Sequence, residues 1–176
     1  MNLITCHNNT LHINYLIFIM QSFLPTVVLR HKRENLKKCS LRGFESHPDF
    51  KFYAYPHCTL PDLSGYIILD LDAPPLMKED ASYGLVLLDS TWRYAEKMLK
   101  FVEKRGNLSK RSIPAHFRTA YPRRQDDCSD PTRGLASIEA IYIAHMILGR
   151  NTSGLLDGYY WKDQFLGSLP KSSSFN

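Results

Sequence analysis

Cysteine is scarce in this 176-residue chain, and its spacing argues against the usual cysteine-based sites. The cysteines are Cys6, Cys39, Cys58 and Cys128. They form no Cys-x-x-Cys pair, so neither a disulfide framework nor the ligand spacing of a typical zinc site is present. The favoured interpretation is four reduced thiols in a cytoplasmic protein without a metal. A zinc-binding module that uses Cys39, His57 and Cys58 is the alternative.

Several enzyme motifs are also missing. The chain has no glycine-rich phosphate-binding loop, no Walker motif and no Gly-x-Ser-x-Gly elbow. These absences argue against nucleotide hydrolases and esterases of the corresponding types. No internal repeat or long low-complexity linker divides the sequence, so we expect one domain.

One long apolar run occurs near the start of the chain, in NYLIFIMQSFLPTVVL. No basic residue precedes it, a glutamine and a proline interrupt it, and no cleavage pattern follows, so we predict neither a signal peptide nor a membrane partner. We expect residues 1–19 to be a disordered or non-native extension, with Met20 as the true start. A single domain would then span residues 20–168, and the polar residues 169–176 would form a flexible tail.

Apolar periodicity predicts an α/β fold. Continuous apolar runs predict buried strands at 26–29, 66–71 and 85–88, because strands that are covered on both faces carry such runs. Helical spacing predicts one amphipathic helix over 92–102 and a second, mostly apolar helix within GLASIEAIYIAHMILGR. Alternating strands and helices indicate a layered sheet with helices on both faces. Ligands of such sheets bind beyond the carboxyl ends of the strands.

An aspartate ends the third predicted strand, in LLDSTW. From local physics alone, Asp89 is most simply a helix N-cap that accepts hydrogen bonds from free backbone amides. In that case Asp89→Asn would cost about 1 kcal/mol or less, since asparagine also caps. The alternative is a general base, or a carboxylate that orients a substrate. Trp92 is either a core residue or the wall of an aromatic pocket.

Positive charge is concentrated between residues 104 and 124, which contain no acid. The chain's formal net charge is only +5, so the excess there is local. Phosphate neutralisation combined with aromatic stacking favours RNA as a partner, and a solvated charged surface is the alternative. The cations are Lys104, Arg105, Lys110, Arg111, Arg118, Arg123 and Arg124, and the interleaved rings are His116, Phe117 and Tyr121.

Four segments carry a family resemblance. LLDSTWRYAEKML, IP at 113–114, YPRR at 121–124 and GLASIEA at 134–140 are similar, in this order, to the Asp-x-Thr-Trp, Leu-Pro, Tyr-x-x-Arg and Leu-Ser-Thr-x-Glu-Ala elements of the DTW-domain family. RHKRENLKKCSLRGFE resembles the basic Lys-x-Cys-Ser/Thr segment of the ribosome-maturation transferases, which belong to the same superfamily. The resemblance covers residues 26–149. It departs from the family at Ala136, where a hydroxyl is missing, and at AYPRRQDDCSD, which replaces the Asn-Pro-Val-Asn-Tyr-Gly loop of the ribosomal branch.

The resemblance implies a SPOUT-like α/β fold with a C-terminal trefoil knot around the cofactor. It also implies transfer of the 3-amino-3-carboxypropyl group of S-adenosylmethionine to a uridine-type base in structured RNA. The acceptor would be a tRNA uridine or a pseudouridine of small-subunit rRNA, and methylthioadenosine the by-product. A non-catalytic RNA-binding maturation factor and a SPOUT-type RNA methyltransferase are the alternatives.

The resemblance and the basic segment together imply roles for individual residues. Asp89 would be the catalytic base, or the group that orients the uracil. The residues expected near the cofactor are Ser40, Leu69, Trp92, Ile113 and Ser137. The residues expected to contact RNA are Arg111, Arg118, Tyr121, Arg123 and Arg124.

Overall fold

A computed structural model describes residues 23–122 and 134–170, apart from the side chain of Trp92. The expectations for residues 1–19, for most of 169–176, and for Arg123 and Arg124 lie outside the described residues. In the part of the chain that is described, no helix has the length and apolar character needed to cross a membrane.

The described residues contain one five-stranded sheet whose strands all pair in parallel. Its spatial order is β2-β1-β4-β3-β5. The chain leaves β1 towards β2 on one side and leaves β4 towards β5 on the other, so the gap between β1 and β4 is the topological switch point, where open α/β sheets bind ligands. The strands are β1 (Thr26–His31), β2 (Phe50–Tyr55), β3 (Tyr66–Leu69), β4 (Gly84–Asp89) and β5 (Ser109–Arg111).

The three strands predicted from apolar runs are confirmed as β1, β3 and β4, with shifted ends. Sequence reasoning missed β2 and β5, which form the two edges of the sheet. β2 reads FKFYAY and is only partly buried, and β5 is the three-residue segment SKR. Edge strands are short or half-exposed, so neither carries the continuous apolar run that identifies a central strand.

Helices cover both faces of the sheet, as expected. On one face α1 (Trp92–Glu103) packs Met98 against Val27 and Val86. On the other face α2 (Ser137–Ile147) packs Ile138 against Val28. Val27 and Val28 face opposite ways because successive side chains of a strand alternate between faces.

The C-terminal segment covers the outer side of α2. Leu155, Leu156 and Tyr159 are buried in the same apolar cluster as α2, together with Phe165 of α3 (Lys162–Ser168). Because α2 lies between the sheet and this segment, it is apolar on nearly all sides.

His145 is the buried polar residue near the far end of α2. Its Nδ1 lies 3.3 Å from the carbonyl oxygen of Asn151, and its Nε2 lies 3.3 Å from the hydroxyl of Thr26. A carbonyl only accepts, so Nδ1 carries the proton and Nε2 accepts from the hydroxyl. Burial lowers the pKa of His145 to about 4, and the imidazole is therefore neutral at pH 7.

Candidate active site

Asp89 ends β4 at the switch point and is only 3% exposed. Its Oδ2 accepts from Arg30 Nε at 2.8 Å and from Cys39 Sγ at 3.3 Å, and its Oδ1 accepts from Ser137 Oγ at 2.8 Å. Helix α1 begins three residues further on, at Trp92, with Thr91 as its N-cap and without a side-chain capping bond. The prediction that Asp89 caps this helix is therefore wrong, because the carboxylate turns towards β1 and α2.

Strand register explains the pairing of Asp89 with Arg30. The two residues are partners on adjacent parallel strands, so both side chains project on the face that α2 covers. The Arg30 guanidinium also bonds Glu45 at 2.6 Å and lies 4.6 Å from the centre of the Phe52 ring. Burial acts against its charge, but the hydrogen bonds that Arg30 donates to Glu45 and Asp89 raise the pKa of Arg30 above its ordinary value. The switch point therefore holds a fixed, charged ion-pair network.

Cys39 completes this network as a thiol. Its sulfur is buried beside Asp89, and it also accepts from the backbone amide of Leu41 at 3.4 Å. Burial, reinforced by the charge of Asp89, raises the pKa of Cys39 to about 12. A thiol with this pKa is a hydrogen-bond donor and not a nucleophile at neutral pH. Among the described residues, Cys39 and Cys58 are free, and no group of three side chains is arranged to hold a metal.

Two of the predicted cofactor neighbours, Ser40 and Ser137, lie near Asp89 at the start of α2. Ser137, the first residue of this helix, donates to Asp89, and the next backbone amide, that of Ile138, donates to Ser40 Oγ at 3.2 Å. Ser40 thus satisfies one of the free amides at the helix N-terminus from the loop that follows β1. The structure brings Ser40, Asp89 and Ser137 together, although almost 100 residues separate the two serines.

The other predicted cofactor neighbours lie on the same side of the sheet or are not described. Leu69 ends β3 and Ile113 follows β5, and both half-buried side chains pack against the apolar cluster that contains Ile138. Trp92 is the first residue of α1, and its side chain lies outside the described part of the chain, so its role stays a prediction.

The basic segment is partly neutralised by acids from elsewhere in the fold. Lys110 pairs with Glu103 at 2.9 Å and with Asp70 at 3.6 Å. Arg111 donates to the buried Asp80 at 2.9 Å. The positive charge of the segment is therefore compensated at these two residues by acids outside it: Glu103, which directly precedes the segment, and the more distant Asp70 and Asp80. The Arg111 guanidinium donates to Asp80, and its role as an RNA contact stays a prediction.

A second group of exposed cations lies on the loop that follows β1, which also carries Cys39 and Ser40 into the site. In the original segment Lys104, Arg105 and Arg118 are exposed, and Tyr121 is half-buried. This positive surface next to Asp89 was visible in the sequence as RHKRENLKKC, but nothing in the sequence located it at the switch point. Its exposed members are Lys32, Arg33, Lys37, Lys38 and Arg42.

Sequence reasoning missed Arg30, Cys39 and Glu139 as site residues. Arg30 was detectable as a charge at the end of a buried strand, and Glu139 as the one acid in an apolar helix. Cys39 entered the sequence reasoning only as a ligand of the zinc alternative and as part of the Lys-x-Cys-Ser/Thr segment. In each case the role depends on partners distant in the chain.

Comparison with known proteins supports the architecture. No protein-family profile matches the chain, and no curated protein sequence matches it. A solved structure that matches is "Structure of the SAM-dependent rRNA:acp-transferase Tsr3 from Vulcanisaeta distributa", with a TM-score of 0.59 and 22% sequence identity. The match covers 82% of this chain and 78% of that chain. At this identity the match shows a shared α/β fold.

Proposed function

We propose that this chain transfers the 3-amino-3-carboxypropyl (acp) group of S-adenosylmethionine to a base in RNA. The observation that carries the proposal is the match over most of both chains to an S-adenosylmethionine-dependent rRNA acp-transferase. The position of Asp89 at the switch point, where the fold class binds ligands, agrees with it.

The residues at the carboxyl edge of the sheet fit S-adenosylmethionine. Leu69 and Ile113 offer half-buried apolar surface suited to an adenine ring. Asp89 is a buried carboxylate, which suits a positively charged ligand such as one bearing an ammonium and a sulfonium. When bound, the cofactor supplies an electrophilic carbon next to a sulfonium leaving group.

Asp89 serves best as an orienting group. An ionised carboxylate has about four acceptor positions, and three donors already occupy Asp89. One acceptor position is left, enough to receive a single N–H from the target base or from the cofactor. The ion pair with Arg30 fixes this carboxylate in place, so that the reacting groups meet in a defined geometry.

The loop after β1 would hold the RNA. Its exposed cations lie on the same loop as Ser40, so phosphates bound there would bring a base close to Asp89. We propose rRNA as the first target to test, because the structural neighbour acts on rRNA. A tRNA uridine, the target implied by the DTW resemblance, is the second.

Three finer features belong to the same proposal: membership of the DTW branch, a cytoplasmic location and a C-terminal trefoil knot. The four ordered motifs support membership of the DTW branch, and reduced thiols at Cys39 and Cys58 agree with a cytoplasmic location. The shared fold supports the C-terminal trefoil knot. A crystal structure that traces residues 123–133 would test the knot, since a path that leaves the C-terminal segment unthreaded would contradict it.

The activity is tested by incubating the full chain with labelled S-adenosylmethionine and either small-subunit rRNA or tRNA. Methylthioadenosine release together with an acp-modified nucleoside is the expected result. S-adenosylhomocysteine would identify a methyltransferase instead, and RNA retention without either by-product would identify a binding factor. Asp89→Asn should lower turnover at least about tenfold if Asp89 orients a reactant. The matched control is Asp80→Asn, which alters another buried arginine-paired carboxylate and should leave turnover within about twofold.

A further inference from the structure

Glu139 lies in the third position of α2 and is completely buried. Four donors surround its carboxylate. Oε1 accepts from the backbone amide of Ala120 and the hydroxyl of Tyr159, both at 2.9 Å. Oε2 accepts from the hydroxyl of Thr119 at 2.6 Å and the backbone amide of Ala136 at 2.7 Å. All four acceptor positions of the carboxylate are therefore filled.

Helix capping explains only one of these bonds. A glutamate at the third position of a helix commonly accepts from the backbone amide of the N-cap residue, here Ala136. The bonds to Thr119, Ala120 and Tyr159 come from two other segments of the chain. Burying a carboxylate costs far more than a local cap returns, so the arrangement requires a reason beyond helix initiation.

The four donors come from segments that surround the candidate site. Ala136 precedes Ser137, which donates to Asp89. Thr119 also accepts from the backbone amide of Tyr121, so the carboxylate orders the stretch that follows Ile113. Tyr159 belongs to the C-terminal segment packed on α2. One side chain thus sets the spacing between the turn before α2 and the loop after β5.

We infer that Glu139 is a positioning residue for S-adenosylmethionine binding: it holds the loop around Ala120 against the turn at Ala136. This inference rests on the proposed function and deepens it. Glu139 is completely buried and all its acceptor positions are occupied, so it acts through these segments and does not contact the cofactor.

The chemistry predicts that glutamine cannot replace this glutamate. Each carboxylate oxygen receives one hydroxyl and one backbone amide. A hydroxyl can rotate to accept from an amide group, whereas a backbone N–H can only donate. Whichever way the glutamine is turned, its NH₂ would face a backbone N–H, that of Ala120 or that of Ala136. Glu139→Gln therefore loses a hydrogen bond from one of these two backbone amides. Tyr159→Phe is the milder change, because it removes only the hydroxyl that donates to Oε1 and leaves both backbone bonds in place.

The experiment compares Tyr159→Phe with Thr26→Val in the full chain. Each removes one buried hydroxyl bonded to α2, at Glu139 near the start of the helix or at His145 near its end. Amide hydrogen exchange in the absence of ligand reports the order of the loop, and calorimetric titration with S-adenosylmethionine reports its dissociation constant. Turnover measured at saturating cofactor reports kcat separately from the affinity for the cofactor.

Tyr159→Phe should raise the rate of amide hydrogen exchange at Ala120 by about fivefold, and the dissociation constant of S-adenosylmethionine by about fivefold. Its kcat should stay within about twofold of the wild-type value. Thr26→Val should change neither by more than about twofold. Glu139→Gln, if it folds, should exceed Tyr159→Phe in both measurements. The inference is overturned if Tyr159→Phe leaves the exchange rate and the affinity unchanged, or if Thr26→Val changes them equally. In either case, wild-type activity would leave the proposed function standing. A wild-type chain that fails to bind S-adenosylmethionine would overturn the proposed function and this inference together.

Discussion

Replacing Asp89 with asparagine tests whether this residue is a helix cap or the anion of an ion-pair network. Asparagine has the same shape, and its amide group can turn towards the hydroxyl of Ser137, which can rotate to accept. Its oxygen would then still face Arg30 and Cys39. What is lost is the negative charge beside a guanidinium whose side chain is 12% exposed.

The size of the effect follows from this burial. A hydrogen bond to a charged group contributes about 1.5–3 kcal/mol, and breaking a fully buried ion pair costs about 3–5 kcal/mol. Arg30 keeps its bond to Glu45 and its contact with Phe52, which limits the loss. We therefore expect Asp89→Asn to lower the free energy of unfolding by about 2–3 kcal/mol, whereas a simple cap would give about 1 kcal/mol or less.

Urea unfolding followed by circular dichroism measures this difference. Thr91→Ala is the matched control at the helix start, since Thr91 is the N-cap but makes no side-chain capping bond, and it should cost less than about 0.5 kcal/mol. A double-mutant cycle with Arg30→Met isolates the pair, with an expected coupling of at least about 1 kcal/mol. The ion-pair reasoning fails if Asp89→Asn stays within about 1 kcal/mol of the wild type and is additive with Arg30→Met.

Two further predictions concern pH and salt. Burial lowers the pKa of His145 from its ordinary value of 6.5 to about 4, so below pH 6.5 the unfolded chain binds a proton that the folded chain does not. The free energy of unfolding should therefore fall by about 3 kcal/mol between pH 6.5 and 4 relative to His145→Gln, and parallel pH curves for the two proteins would contradict this. Replacing Arg123 and Arg124 with glutamine should lower the salt dependence of RNA binding by about one unit per lost phosphate contact. If Asp80 holds the Arg111 guanidinium away from RNA, Arg111→Gln should leave the salt dependence unchanged, and an equal drop would show that Arg111 contacts RNA phosphate.

The central layers of the fold were predictable because local patterns encode them. The apolar runs of β1, β3 and β4 and the helical period of α2 need no knowledge of the partner they pack against. The edge strands β2 and β5 were missed because their exposed positions break those runs. The location of Asp89 at a strand end was predictable on the same grounds, but its partners were not.

The sequence by itself determined the α/β class, the apolar faces, and the acid at the carboxyl end of a central strand. Tertiary structure alone decided what that acid does, since its donors come from β1, from the loop after β1 and from α2. The same holds for Glu139, whose four donors come from three separate segments, and for Arg111, whose charge is paired with Asp80, 31 residues away. Periodicity reports which face of an element is buried, but hydrogen-bond partners depend on how the chain returns to the same point in space.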